Sequence, residues 1–249
     1  MRSGNPALGK DTFLDVGSGQ VVGGETMTLN GTVNKTGMLL LILMLSAGYT
    51  WSRFNGPESM PVITPMLLVG GIGGFIFALI TIFKKTWAPY TAPIYALLEG
   101  FLLGGLSAMM ELRFPGIVMQ AVGLTFGTLA ALLLAYRSGL IRATENFKLG
   151  VVAATGGIAL LYLVDIGMGF FGHSMGFIHN NSWISIAFSG FVVVIAALNL
   201  VLDFDFIEQG VAAGAPKYME WYGAFGLIVT LVWLYLEMLR LLSKLQSRN

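Results

Sequence analysis

The sequence IAALNLVLDFDFIEQG, at Ile195–Gly210, is an apolar run that ends in acidic residues. Residues four apart lie on the same face of a helix, so Asn199 and Asp203 are predicted to project together. Asp203 and Asp205 are two residues apart and therefore point to nearly opposite sides. We expect Asp203 to face the protein interior, and the side that carries Asp205 and Glu208 to meet water.

The composition places this run in a membrane protein. Hydrophobic residues make up 55% of the 249 residues, charged residues only 11%, and the mean hydropathy is +0.76. A soluble domain carries roughly 25% charged residues. The net charge of +1 leaves no basic surface for nucleic acid. The absence of cysteine excludes disulfides and cysteine-bound metal.

Seven segments are long and apolar enough to cross a bilayer, which takes roughly 20 residues. They are predicted to be helices because backbone groups in lipid must pair within their own segment. The sequence therefore predicts an all-α integral membrane protein, with a flexible polar tail at 1–32 and one transmembrane domain at 33–249. The predicted spans are Met38–Trp51 extended back to Val33, Val62–Phe83, Ala88–Met110, Ile117–Tyr136, Leu149–Phe171, Trp183–Phe206 and Trp221–Leu242.

Pairs of small residues four apart allow membrane helices to approach closely. Three such pairs predict close helix packing: Gly70/Gly74, Gly100/Gly104 and Gly123/Gly127.

The distribution of Lys and Arg predicts the orientation, since these residues concentrate on the cytoplasmic side. The tail and the loops after helices two, four and six carry nine of them, against five on the other side, which favours a cytoplasmic N-terminus. In this orientation His173 and His179 lie outside, as interfacial polar residues. The nine are Arg2, Lys10, Lys35, Lys84, Lys85, Arg137, Arg142, Lys148 and Lys217, and the five are Arg53, Arg113, Arg240, Lys244 and Arg248.

The predicted spans contain more acids than bases. An ionised group at the bilayer centre costs roughly 2.5–3.5 kcal/mol on insertion scales. We therefore expect these acids to be protonated, to border water or to hold a metal ion. Two acids brought together would share a proton, and after losing it would offer hard oxygen ligands to Ca²⁺. The acids are Glu99, Asp165, Asp203, Asp205 and Glu237, and Arg240 is the only base within any of the apolar runs, the first of which begins after Lys35.

Structural alternatives stay open for three of these acids. Glu237 precedes Arg240 by three residues, which suits a helical ion pair. Glu99 follows Tyr95 by one turn, which suits a buried hydrogen bond, and Asp165 lies near a helix end, where it could be solvated.

Four stretches give the chain a recognisable likeness: APIYALLEGFLLGGLSAMMELRFPGIVMQA, YRSGLIRATENF, LNLVLDFDFIEQG and PKYMEWYGAFGLIVTLVWLYLEMLRLL. Over residues 35–245 the chain resembles the Bax-inhibitor family (transmembrane BAX inhibitor motif proteins), in a bacterial, YccA-like branch. The resemblance implies a seven-helix bundle whose last helix is central and wrapped by the other six. It also implies a pH-sensitive Ca²⁺ leak or, in some bacteria, modulation of a membrane protease.

The resemblance carries a gate onto particular residues. In the family an acid of the sixth helix, followed by Ile four on and Gly seven on, meets an acid of the seventh. Asp203, Ile207 and Gly210 match the first part. The seventh-helix position matches either Glu237, from the LYLE sequence, or Thr230, when the helix is aligned on an Arg near its end.

Two functions follow as hypotheses. The first is a passive, pH-sensitive cation leak that is gated by protonation of the acids. Asn199, Thr230 and Arg240 support this gate, and Asp203 and Glu237 together bind Ca²⁺. The second is a non-conducting membrane protein, acting in a stress response or on a membrane protease, whose tail or loops contact that partner. An enzyme is not expected, because the sequence has no GxGD motif and no GxSxG nucleophile elbow. The expected location is the bacterial inner membrane.

Overall fold

The computed structural model describes residues 25–172, 175, 176, 180 and 182–248. This part of the chain contains seven helices that are long and apolar enough to cross a membrane, which confirms the all-helical membrane fold. His173, His179 and residues 1–24 of the predicted tail lie outside the described residues. The helices are α1 (Leu29–Ser52), α2 (Met60–Phe83), α3 (Ala88–Arg113), α4 (Ile117–Arg137), α5 (Glu145–Phe170), α6 (Trp183–Ala212) and α7 (Met219–Gln246).

Several helices extend past the predicted spans. Helix α1 already begins at Leu29, where the Thr28 side chain accepts a hydrogen bond from the Gly31 N–H. A flexible tail up to residue 32 is therefore wrong for residues 25–32. Helix α5 begins at Glu145 and α7 continues to Gln246. The helices consequently include Lys35, Lys148 and Lys244, so the expectation that Arg240 is the only base within them is wrong.

The described chain packs into two compact units. The first, called here the N-terminal unit, comprises residues 25–115 and 206–229 and contains α1, α2 and α3 with the end of α6 and the start of α7. The second, called the C-terminal unit, comprises residues 116–205 and 230–248 and contains α4, α5 and the remaining parts of α6 and α7.

In the N-terminal unit, α1 and α2 both pack against α3. Glycines make this approach close, because a Cβ on Gly104 would lie 2.2 Å from the Ala47 carbonyl oxygen. A Cβ on Gly70 would similarly lie 2.7 Å from the Leu98 carbonyl oxygen. The close packing predicted for the pairs Gly70/Gly74 and Gly100/Gly104 is confirmed.

The C-terminal unit has an apolar core between α5 and α6, formed by Ile158, Val192 and Ile195 with Tyr162, Phe188 and Trp233 against it. Its α4 glycines do not serve close packing. A Cβ added at Gly123 or Gly127 would meet no described atom within 4 Å. The prediction for this third pair is therefore wrong, because the spacing shows that two glycines share a face but not what that face meets.

Burial is uneven among the helices. In the most apolar part of α7, 67% of residues are buried, and in α6 61%, whereas the figure for α1, α2, α4 and α5 is 17–22%. A helix that other helices enclose must be buried in this way. Both α6 and α7 are buried in this way, so the expectation that the last helix is the central one stays a prediction.

Candidate functional site

Asp203 is completely buried in α6. Asn199, one turn earlier, is also buried, and its amide donates hydrogen bonds of 2.8 Å to Thr155 Oγ1 and to the Ile195 carbonyl oxygen. The two side chains thus both turn toward protein, as their spacing predicts, whereas Glu208 is exposed. The acid at position 203 occupies an interior position and is not in bulk water.

The C-terminal unit also fixes the register between α6 and α7. Lys244 Nζ donates to Ser189 Oγ at 2.7 Å. Asp203 lies fourteen residues after Ser189, and Thr230 lies fourteen residues before Lys244. Lys244 Nζ also contacts the Ser185 carbonyl oxygen at 3.4 Å. Because the two helices are antiparallel and each rises about 1.5 Å per residue, these contacts place Asp203 level with residues 226–230 of α7. Thr230 is itself buried.

Glu237 belongs to a different cluster. Arg240 Nη1 lies 2.9 Å from Glu237 Oε1, and the Tyr162 hydroxyl donates to the same oxygen at 3.0 Å. The guanidinium also lies 5.0 Å from the centre of the Tyr162 ring. The structural alternative for Glu237, an ion pair with Arg240, is therefore present, and a hydroxyl of α5 completes it.

This cluster separates Glu237 from Asp203. Glu237 is seven residues beyond Thr230, which is about 10 Å along the helix. One Ca²⁺ needs its ligand oxygens within about 2.6 Å of the ion. The structure thus does not bring Asp203 and Glu237 together as a calcium site. Within the described residues there is also no group of three or more His, Asp or Glu side chains that could hold a metal ion.

The other three predicted acids differ in their partners. Asp205 Oδ2 lies 2.8 Å from Lys148 Nζ, and the Asp205 side chain is only 21% exposed, so it is an ion pair and not a fully wetted helix end. Asp165 is buried and accepts a 2.8 Å hydrogen bond from the Met175 N–H, so solvation at the rim is wrong for it. Glu99 is buried in α3. It has no hydrogen bond or ion pair with any described residue, so the buried hydrogen bond considered for it is not found.

Glu220 was not predicted as a site residue, yet in the structure it contacts two lysines. Its side chain is fully buried, and Lys35 Nζ and Lys217 Nζ lie 3.4 Å and 3.3 Å from its two oxygens. Thr28 donates to it through its N–H at 3.0 Å and its hydroxyl at 2.9 Å. The one feature of the sequence that indicates this cluster is the spacing of Lys217 and Glu220, which are three residues apart and can form a helical ion pair.

The Glu220 cluster joins the segment before α1 to the connection between α6 and α7. Met27 N–H donates to the Ala215 carbonyl oxygen at 2.7 Å, and Thr26 pairs with Pro216 in an isolated β-bridge. The Glu220 carboxylate, through its hydrogen bond with the Lys217 ammonium, raises the pKa of Lys217 above its usual value. We call these contacts of residues 25–28, Lys35, 215–217 and Glu220 the N-terminal clasp.

Comparisons with known proteins give a family but no individual relative. Neither the curated proteins nor the solved structures contain a significant match to this chain. The family model described as Bax inhibitor 1 like, however, matches residues 5–247, which is almost the whole chain. The protein is thus an integral membrane protein with seven spans, and it belongs to the Bax inhibitor 1 like family.

Proposed function

We propose that the protein is a passive, pH-sensitive cation pathway, with Ca²⁺ as the expected cation and Asp203 as the group that senses protons. The observation that carries the proposal is the complete burial of Asp203 inside the apolar helix α6. An ionised carboxylate in this position is unfavourable by several kcal/mol unless a proton or a cation compensates its charge. The charge state of Asp203 is therefore expected to depend on both pH and cation concentration.

Two oxygen-bearing side chains lie near Asp203 in the fold. Asn199 lies one turn earlier on the same face, and Thr230 on α7 lies within about one turn of the level of Asp203. Carboxylate, amide and hydroxyl oxygens are the ligands that hard cations such as Ca²⁺ prefer. A cation moving through the bundle could use these oxygens in turn, and a proton on Asp203 would weaken the binding. Of the two alternatives for the seventh helix, this geometry favours Thr230.

Glu237 has a supporting role in this proposal. Its ion pair with Arg240 and its bond to Tyr162 compensate its charge without a proton. We expect it to hold α5 and α7 in place and not to set the pH response. The membrane is proposed to be the bacterial inner membrane, with the N-terminus in the cytoplasm.

The test measures Ca²⁺ entry into liposomes that contain the purified protein, over a series of pH values. Asp203→Asn should abolish the pH dependence of the flux. Glu208→Gln, an exposed change one and a half turns later on α6, should leave both the flux and its pH midpoint unchanged. Glu237→Gln should lower the stability of the protein but keep the pH midpoint. If Asp203→Asn has the flux and midpoint of the unchanged protein, the proposal is wrong.

A second candidate is a non-conducting protein that modulates a membrane protease or a stress response. The N-terminal clasp favours it, because it anchors residue 25 beside the α6–α7 connection. Deleting residues 2–24 should then abolish the modulation of proteolysis in membranes, whereas Asp203→Asn should not. Under the cation-pathway proposal the same deletion leaves Ca²⁺ flux unchanged.

A further inference from the structure

Glu99 lies in the middle of the third span. It is the twelfth of the 26 residues of α3, so it is about 16 Å from the first residue of the helix. The residue is only 8% exposed. In the part of the chain that the structure describes, its carboxyl has neither a hydrogen-bonding partner nor a cation. A largely buried carboxyl at this depth that has no protein partner calls for a specific explanation.

The glycines of α2 create the space for this carboxyl. A Cβ added at Gly74 would lie 2.8 Å from Glu99 Oε2, closer than such atoms approach in real structures. A Cβ added at Gly70, one turn earlier, would lie equally close to the α3 backbone, at 2.7 Å from the Leu98 carbonyl oxygen and 2.8 Å from the Leu102 nitrogen. The carboxyl of Glu99 therefore lies against the bare backbone of α2, in a gap that exists because position 74 has no side chain.

The elements packed around Glu99 bring few charged side chains near its carboxyl. Helix α2 contains no titratable residue. Helix α1 contributes Tyr49, which lies against Phe101, and Lys35, which binds Glu220. Helix α3 itself contributes Tyr95, one turn before Glu99, and the start of α7 contributes Tyr222 besides Glu220.

Without a cation beside it, a carboxylate at this depth is the unfavourable form, and the neutral acid is the favourable one. An acid kept only for packing would be expected to bond to a neighbouring group, as Glu237 does. We propose that Glu99 and the α2 backbone at Gly74 form a proton-binding site, in which the carboxyl is neutral at pH 7 and exchanges its proton with solvent. The site is separate from Asp203, and its existence does not depend on any cation flux.

Infrared spectroscopy of the purified protein in detergent tests the proposal directly. The spectrum of the unchanged protein minus that of Glu99→Gln should contain the carbonyl stretch of a protonated carboxylic acid at pH 7. This band should shift after transfer to D₂O, because the proton exchanges, and it should disappear at alkaline pH. If the band is absent at pH 7, Glu99 is ionised and the proposal is overturned. A band that does not shift in D₂O also overturns it, since the proton is then locked in place.

A glycine pair provides a second measurement in case Glu99→Gln fails to fold. Gly74→Ala places a methyl group against Glu99 Oε2 and should shift the same carbonyl band. Gly71→Ala is the matched control, because its methyl group would meet only the Leu102 side chain at 3.8 Å. It should leave the band where it is. Equal spectra for the two variants would contradict the assignment of the acid to this gap. Neither outcome bears on Asp203, so failure of this site leaves the cation-pathway proposal standing.

Discussion

Lys148 binds Asp205 with an Nζ–Oδ2 distance of 2.8 Å and thereby joins the first turn of α5 to α6. The Lys148 side chain is only 7% exposed, so the Asp205 carboxylate compensates a positive charge that little water can reach. Glu145, which is 3.6 Å away and largely exposed, gives weaker compensation. The pair also shows that a base at the end of one span can compensate the charge of an acid at the edge of another span.

Asp205→Asn should therefore destabilise the protein by about 1–3 kcal/mol, because it leaves a nearly buried ammonium without its main partner. The measurement is the thermal unfolding midpoint in detergent. The double variant Lys148→Met/Asp205→Asn should recover part of the loss, since no charge is then left buried. If the effects of the two single changes simply add, the two residues are not coupled and the prediction is wrong.

Gly31→Ala should disrupt the N-terminal clasp. The new Cβ would lie 1.9 Å from Glu220 Oε1, so the carboxylate must leave Thr28, at a cost of about 1–3 kcal/mol. Gly37→Ala, on the same helix, meets nothing within 4 Å and should be neutral or up to about 1 kcal/mol stabilising. Thermal unfolding compares the two variants, and a protease that cuts near residue 25 should act faster on Gly31→Ala. Equal stability of the two would contradict the clasp.

Gly104→Ala should separate α1 from α3. Its methyl group would meet the Ala47 carbonyl oxygen, and overpacking of this kind costs about 1–3 kcal/mol. Gly127→Ala is the control, because position 127 of α4 faces open space among the described residues. The unfolding midpoint should fall only for Gly104→Ala. A comparable fall for Gly127→Ala would show that α4 has a close neighbour in the assembled protein.

The contribution of Lys217 to stability should disappear at alkaline pH. Its hydrogen bond to Glu220 raises its pKa above 10.5, the usual value for lysine, although partial desolvation acts in the opposite direction. The stabilisation is therefore complete below pH 10.5 and is lost as the pH rises through the raised pKa. Lys217→Met should lower the unfolding midpoint at pH 8, and this difference should vanish at high pH.

Lys84→Met, in the connection between α2 and α3, is the control for this titration, because Lys84 has no ion pair within the described residues. It should show no such pH-dependent difference. A difference between Lys217→Met and the unchanged protein that persists at the highest pH would mean that the ammonium charge is not what stabilises the clasp.

The orientation can be tested directly because the chain contains no cysteine. Single cysteines in place of Lys84 and Asn55 lie in exposed connections at opposite ends of α2. With a cytoplasmic N-terminus, a membrane-impermeant thiol reagent added outside intact cells should label Asn55→Cys and not Lys84→Cys. The reverse pattern would place the N-terminus outside.

The sequence by itself determined the number of spans, the membrane environment and the direction in which Asn199 and Asp203 point. These features follow from length, apolar composition and helical periodicity, which are local properties of one segment. The family likeness was also readable, because it rests on the order of residues along nearly the whole chain.

Only the tertiary structure decided which groups meet. Periodicity assigns a residue to a face of its helix, but what lies opposite depends on how helices are set against one another. Glu237 therefore bonds to Tyr162 and Arg240, Glu220 collects two lysines and a threonine, and Gly127 packs against nothing that the structure describes. The ends of the helices could not be predicted from the sequence either. Lys148 and Lys244 lie within helices because their long apolar stems are buried, and their ammonium groups contact residues that are distant in the sequence.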